Sequence, residues 1–365
     1  MKKIKLLVIK SFFQIIYQYC LIFCKFNPQK VTLATNRNQD LFSGLKNLQT
    51  IFEEQSNYQI KVIAFKFERS LRGRLNYFYY SIVSMHALAT SRFFIVDDYY
   101  FPIYCIKKNK KNIVVQIWHA IGHLKRFGLS IESNKKQIIK PHTNYDYAVV
   151  NSQLDIPFYA EAFDMRPEDI LAIGSPKIDR LINHKINNDK VDVRTVLYAP
   201  TFRRTDEENI ALVQMFIKEF VRDFKDDILY VSLHPYMRVP EWPISENVHI
   251  FQDSNRIDDI LSQVDILITD YSSVMLEFFY FERPVLIYAP DFNAYKDDFG
   301  FYVDFKSYIE APIFDSLDSL MLYMKSGDYK NTTDYILKMK NKIFDYYDGQ
   351  NSQRLFDFLT KEVEG

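Results

Sequence analysis

An α/β fold of two doubly wound parallel-sheet domains is the class this sequence predicts, and three observations predict it. Short continuous apolar runs, such as residues 60–65 (IKVIAF), 195–200 (TVLYAP) and 285–288 (VLIY), alternate with longer stretches of helical spacing. Runs that are apolar on both faces suit strands of a parallel sheet covered on both sides. Residues 184–194 (HKINNDKVDVR) have no core-forming pattern, and after them the alternation restarts.

The stretch around which the chain is organised is residues 265–291 (DILITDYSSVMLEFFYFERPVLIYAPD). It reads as a strand to Ile268, a polar turn 269–273, an apolar helix 274–281 and a second strand 285–288, one βαβ unit. The turn of such a unit lies at the carboxyl edge of the sheet, where the next helix leaves its first N–H groups unpaired. Anions settle there, and the hydroxyls of Ser272 and Ser273 add donors for a phosphate. Thr269, Asp270, Ser272 and Ser273 equally suit simple helix capping.

In chain order, the first domain carries strand 31–35, helix 41–55, strand 60–65, helix 82–91, strand 93–98 and strand 112–120. Strand 145–152, helix 153–163 and a short strand with a glycine turn at 171–182 complete it. The second carries strand 195–200, helix 207–220, strands 228–235 and 248–251, helix 256–263 and the βαβ unit. Helices 314–326 and 332–363 follow, with a break near Asp348 and Gly349. The expected boundaries are 1–25 for an N-terminal amphipathic helix, 26–187 for the first domain and 188–365 for the second. Two such domains are expected to turn their strand ends toward a common cleft.

Composition narrows the function. Lys plus Arg and Asp plus Glu number 46 each, so no global field draws nucleic acid, and an anion site must be local. The 26 Tyr and 31 Phe, against 9 Gly, suit strand-rich cores and surfaces that meet headgroups or sugars. Three cysteines, Cys20, Cys24 and Cys105, make no disulfide framework and point to a reducing compartment. The sequence holds no Walker loop, no spaced Cys/His zinc set and no nucleophile elbow, so neither a metal nor a cofactor is expected. The acidic doublets Asp97-Asp98 and Asp297-Asp298 read as solvated turns rather than metal ligands.

Residues 1–25 carry lysines at 2, 3, 5, 10 and 25 around an apolar run, without a small-residue cleavage site. The run between Lys10 and Lys25 makes a helix of roughly 20 Å, short of the roughly 30 Å hydrocarbon core. Two readings stand: a helix lying in the interface of an anionic leaflet, or a first helix packed on the domain.

Four clusters at predicted strand ends carry chemistry. In residues 116–128 (QIWHAIGHLKRFG), His119 follows a strand and suits a general base, with His123 and Lys125 close behind. In residues 198–204 (YAPTFRR), Thr201, Arg203 and Arg204 offer a hydroxyl and two guanidinium groups to phosphate oxygens. His234 ends the strand in residues 233–236 (LHPY) and suits stabilising charge on a leaving phosphate. The fourth is the turn from Thr269 to Ser273.

With these residues in view, the chain resembles the CDP-glycerol glycerophosphotransferases of wall teichoic acid synthesis. The resemblance rests on 118–120 (WHA), 122–128 (GHLKRFG), 174–181 (GSPKIDRL), 197–204 (LYAPTFRR), 233–235 (LHP), 266–273 (ILITDYSS), 283–288 (RPVLIY) and 348–354 (DGQNSQR). It implies a GT-B fold of two Rossmann-like domains, and transfer of glycerol phosphate from CDP-glycerol to an acceptor hydroxyl with release of CMP. It also implies His119 as the base, His234 near the donor diphosphate, and Ser272 and Ser273 on phosphate, beside Thr269 and Asp270. Position 120 departs from the family's frequent Trp-His-Gly, being alanine here.

The short chain looks like the primase branch, which adds the first unit to an undecaprenyl-diphosphate-linked ManNAc-GlcNAc disaccharide. The partners this implies are CDP-glycerol, the lipid-linked disaccharide, an anionic membrane surface on the cytoplasmic face and other teichoic acid enzymes. Alternatives are extension of a primed polymer with glycerol or ribitol phosphate, and a nucleotide-binding membrane scaffold without turnover.

Overall fold

The computed structural model describes residues 2–55, 57–68, 70–183, 193–234, 237, 245–253, 255–331 and 333–362. The chain divides into two units, residues 1–180 with 345–365 and residues 181–344. The linker expected at 184–194 lies outside the described residues except for its last two.

In the first unit the apolar runs form β1 (Asn27–Thr35), β2 (Gln59–Ala64), β3 (Ser91–Val96), β4 (Ile113–Gln116), β5 (Tyr147–Val150) and β6 (Ile170–Ala172). They make one six-stranded sheet in the order β2-β1-β3-β4-β5-β6, parallel throughout. Successive residues of β3 serve opposite cores, as the two-residue period of a strand requires. Phe94 and Val96 pack with Phe13, Tyr17, Val114, Val150 and Phe163 on one face. Phe93 and Ile95 pack with Leu45, Phe52, Val115 and Leu355 on the other.

The second unit repeats the plan with β7 (Thr195–Ala199), β8 (Ile228–Ser232), β9 (Val248–Phe251), β10 (Ile266–Thr269), β11 (Val285–Tyr288) and β12 (Ile313–Phe314). Its six-stranded sheet runs β12-β11-β10-β7-β8-β9, again parallel. The strand β12 is only two residues long and carries no readable period of its own.

Three sequence expectations need correcting. Helix α3 covers Leu71–Thr90, after α1 (Lys2–Phe23) and α2 (Ser43–Gln55), so it begins well before the expected residue 82. Its first turns mix arginines and a glycine with exposed apolar and aromatic residues, so they carry no buried stripe, but Ser70 caps them by accepting from the Gly73 amide. Helix α1 runs Lys2–Phe23 within the expected 1–25, but its 22 residues span roughly 33 Å rather than the roughly 20 Å counted from Lys10. It is therefore long and apolar enough to cross a membrane by length and composition. It also packs on the domain: Phe13, Tyr17 and Cys20 are buried, and the Tyr17 hydroxyl accepts from the Asn109 amide at 2.9 Å.

The third correction concerns residues 345–365, which join the first unit rather than the second. Phe356 meets Phe52 of α2 edge-on at 5.0 Å. The helix Asn351–Asp357 is capped from the same unit: Asp179 accepts from the amides of Asn351 at 2.8 Å and Ser352 at 2.6 Å. A carboxylate at a helix start satisfies donors that would otherwise be buried unpaired. Replacing Asp179 with alanine is expected to lower the unfolding free energy by about 3–6 kcal/mol, two charge-assisted hydrogen bonds' worth. Urea denaturation checks this, and an unchanged midpoint would show that the clasp does not stabilise the fold.

Candidate active site

The parallel strands of the first unit deliver several polar side chains to one sheet edge. His119 stands three residues past the end of β4. Trp118 before it has a left-handed backbone, φ 51°, a strained conformation for a bulky residue. Trp118 stacks on Phe127 at 5.4 Å and meets His142 and Phe163, which keep its ring in place. The backbone thus turns off the strand with the His119 side chain still 31% exposed.

His119 Nδ1 lies 3.5 Å from Asp98 Oδ1, too loosely aligned for a hydrogen bond, and Asp98 Oδ2 lies 3.4 Å from Arg37 Nε. Burial lowers the imidazole pKa from 6.5 to about 4; Arg37 and Lys177 push the same way, and Asp98 partly opposes them. At neutral pH the ring is uncharged and able to accept a proton. Next to it, burial raises the Asp97 carboxyl to about 7, and its Oδ1 has no hydrogen-bond partner among the described residues. Asp97 and Asp98 are therefore half-buried members of a polar cluster, not the solvated turn expected. The clue in the sequence was their place directly after the apolar run of β3, where a parallel sheet gathers functional groups. His123 is a different case: buried, 2.7 Å from Asp155 and stacked on Phe158 at 4.0 Å, it belongs to the scaffold.

In the second unit β7 and β10 are neighbours, and the turns after them interlock. Asp270 accepts from the Thr201 amide at 2.8 Å and from the Thr201 hydroxyl at 2.5 Å. Arg203 is 7% exposed. Its Nη2 lies 2.8 Å from Asp270, its Nε donates to Asp291 at 2.5 Å, and Nη1 donates to the Thr201 carbonyl. Burial lowers the pKa of this guanidinium, but the Asp270 and Asp291 carboxylates outweigh it and hold the charge firmly on. Asn209, near the start of the helix Asp206–Asp223, clamps the Arg203 backbone from both sides. Arg203, Thr201 and Asp270 thus brace one another, so their polar atoms are committed within the protein.

Thr269 is fully buried and donates to the Ala199 carbonyl at 2.6 Å, tying β10 to β7. Arg204 is exposed and pairs with Asp298; Asp297 and Asp298 are exposed as expected, on the helix Phe292–Phe299 rather than in a turn. Ser272 and Ser273 are half-buried at the turn. Ser272 Oγ accepts from the Val274 amide at 3.4 Å, a capping bond, whereas Ser273 makes no side-chain cap. His234 lies past the end of β8 with its ring 5.1 Å from Phe202. The second unit therefore brings Thr201, Arg203, Asp270 and Tyr271 into one network and leaves Ser272, Ser273 and His234 half-buried outside it. Among the described residues no three His, Cys, Asp or Glu side chains group as metal ligands.

Two parallel sheets joined in this order define a GT-B-like fold. The wall teichoic acid polymerase TagF shares it with a TM-score of 0.77 at 18% identity, over 100% of this chain and 96% of that one. The model of the CDP-glycerol:poly(glycerophosphate) glycerophosphotransferases matches residues 16–361, and the chain belongs to that family. Among relatives, the teichoic acid ribitol-phosphate primase of Bacillus spizizenii is 30% identical over 97% of this chain and 96% of its own length. The teichoic acid glycerol-phosphate primase of Bacillus subtilis is 29% identical over 76% of each. The chain spans only about half the length of the ribitol-phosphate polymerases it matches.

Removing the Arg203 side chain strands two carboxylates, one of them on the buried Asp270. Arg203→Ala is expected to destabilise the protein by about 3–5 kcal/mol, as loss of one partner of a buried ion pair does. Arg203→Lys restores little, because an ammonium cannot reach both carboxylates with paired donors. Denaturant melts of both variants measure this, and a near-native melt for Arg203→Ala would leave the guanidinium available to substrate after all.

Proposed function

We propose that the protein transfers a polyol phosphate from a CDP-linked donor to a hydroxyl of a lipid-linked saccharide, releasing CMP, with CDP-glycerol as donor. The acceptor is an undecaprenyl-diphosphate-linked ManNAc-GlcNAc disaccharide, and the step is the first addition. The observation that carries this reading is His119, an uncharged, part-exposed imidazole at the carboxyl edge of the first sheet in a chain of this family. His119 takes the proton from the acceptor hydroxyl as its oxygen attacks the β-phosphorus. The bond from that phosphorus to the bridging oxygen breaks, and CMP leaves with the bond's electron pair. Ser272, Ser273 and His234 offer donors for the diphosphate oxygens, and the Arg203–Asp270 brace holds their turn in shape.

Priming rather than extension is supported by the likeness to a primase along nearly the whole of that relative. The match to a primase runs over 96% of that relative, whereas the polymerases are about twice as long as the matched part. A second reading, with CDP-ribitol as donor, is favoured by the name of that same full-length relative, a ribitol-phosphate primase. Parallel incubations with CDP-glycerol and CDP-ribitol, followed by mass measurement of the lipid product, decide between them and count the units added.

His119→Ala is expected to reduce CMP release on the order of a hundred- to ten-thousandfold while donor binding persists. In the native protein the ascending limb of kcat/KM against pH sits near 4 rather than 6.5, because burial favours the neutral ring. The same shift has a stability cost at low pH: the unfolded chain takes up the proton first, so stability falls as pH falls from about 6.5 to about 4. Turnover close to native in His119→Ala excludes the base assignment.

Localisation at the cytoplasmic face of the membrane is part of the same proposal. The outer side of α1 exposes Val8, Phe12, Ile15, Tyr19 and Phe23, with Lys3 and Lys5 exposed at its start. Apolar side chains flanked by lysines fit the interface of an anionic leaflet. Deleting the helix would uncover the core around Phe13 and Tyr17, so point changes on its outer side make the better test. Phe12→Glu with Ile15→Glu is expected to abolish cosedimentation with phosphatidylglycerol vesicles at an unchanged melting temperature. Undiminished sedimentation refutes membrane docking through this face.

A further inference from the structure

A cavity of about 750 Å³ opens in the first unit beside the carboxyl ends of β1 and β2, against the first half of α3. Its walls combine three chemistries. Lys66 and Arg72 bring cationic heads with no partner among the described residues, and Glu68, bonded to the Ser70 hydroxyl at 3.4 Å, is the one carboxylate beside them. Gln39 and Asn76 add amides. Tyr79 and Tyr80 add rings, that of Tyr80 lying flat on Phe65 at 4.7 Å. Cations suit phosphate oxygens, while amides and aromatic faces suit sugar hydroxyls and sugar C–H faces.

The cavity also touches an apolar stripe. Leu71, Leu75, Phe78 and Tyr79 recur at helical spacing along α3 and are 76%, 63%, 44% and 61% exposed. Leu75 and Tyr79 belong to the stripe and to the cavity wall at once. Phe78 stacks on Phe12 of α1 at 5.5 Å, so the stripe continues onto the outer side of that helix. A pocket for a water-soluble nucleotide has no use for such a margin. A ligand with an anionic, sugar-bearing head and a hydrocarbon tail does.

The same sheet edge connects the cavity to His119. The Phe65 amide donates to the Thr35 carbonyl at 3.2 Å and the Phe67 amide to that of Asn36 at 3.0 Å. Arg37 follows, 3.4 Å from Asp98, which in turn lies 3.5 Å from His119. From β2 to β4 is three strand intervals, roughly 14 Å. That distance suits a head of several sugar and phosphate units, reaching from the cavity to the base.

We propose that this cavity binds the diphosphate and proximal sugar of a polyprenyl-diphosphate-linked acceptor, and that the prenyl chain leaves along the Leu71–Leu75–Phe78 stripe of α3. The proposal rests on the reading that the acceptor is lipid-linked. The donor also carries a diphosphate, so the test must separate the two.

The probes are a disaccharide joined through diphosphate to a short prenyl chain, and the same disaccharide diphosphate without the chain. Calorimetric binding to the full chain is compared with Lys66→Ala/Arg72→Ala and with Leu71→Glu/Leu75→Glu, each checked by thermal melt. The first double variant is expected to bind both probes about tenfold or more weakly and to raise the acceptor KM similarly, with the CDP-glycerol KM within about twofold of native. Lys66→Arg/Arg72→Lys recovers most of the loss. The second double variant weakens only the prenylated probe.

Native acceptor affinity in Lys66→Ala/Arg72→Ala overturns the proposal, as does a loss confined to the donor, or no binding of either probe by the native chain. A native chain that binds the prenylated probe yet never releases CMP refutes the transferase reading, and the cavity assignment is then decided by the binding data alone.

Discussion

Parallel pairing is the constraint on which the rest of the structure depends. Because the strands of each sheet run the same way, their carboxyl ends open on one edge, and residues far apart in sequence arrive there together. In the first unit this gathers Arg37 from after β1, Asp97 and Asp98 from after β3, and His119 from after β4. In the second it gathers Thr201 and Arg203 from after β7 with Asp270 from after β10. Each core on either side of the sheets is what holds that edge rigid.

The two edges treat buried charge in opposite ways. The Arg203 guanidinium meets two carboxylates and a carbonyl, so its desolvation is offset and the turn becomes a rigid brace. Around His119 the polar groups are left loosely paired: Asp98 stands at 3.5 Å without an aligned bond, and Asp97 keeps a buried oxygen unmatched among the described residues. Under-satisfied groups beside a strained Trp118 backbone cost stability, while burial, Arg37 and Lys177 keep the imidazole neutral and able to take a proton. Such an arrangement suits proton transfer better than it suits a scaffold.

Helices α1 and α3 show a similar division of labour between faces. Phe13 and Tyr17 of α1 enter the core, while Phe12 and Ile15 stay outside. Both sequence readings of this segment, packed helix and interfacial helix, describe one face each. A helix apolar all round either spans a membrane or is covered on two sides. Here the protein covers one side, and the proposed leaflet covers the other.

The sequence alone determined the α/β class, the restart of the alternation in the second half, and most strand positions, because short runs apolar on both faces have few other uses. It also singled out His119, whose place directly after an apolar run is a local property. What only the tertiary structure decided was which polar residues are spent on one another. Thr269, Thr201, Asp270 and Arg203 look like ligands for phosphate when read along the chain, yet their partners lie 69 to 88 residues away or across a strand pair. The pairing of Asp98 with Arg37, and the return of residues 345–365 to the first unit, are likewise contacts between distant segments. Local pattern records what a residue is able to do, and only packing, by supplying or withholding a partner, settles what it does.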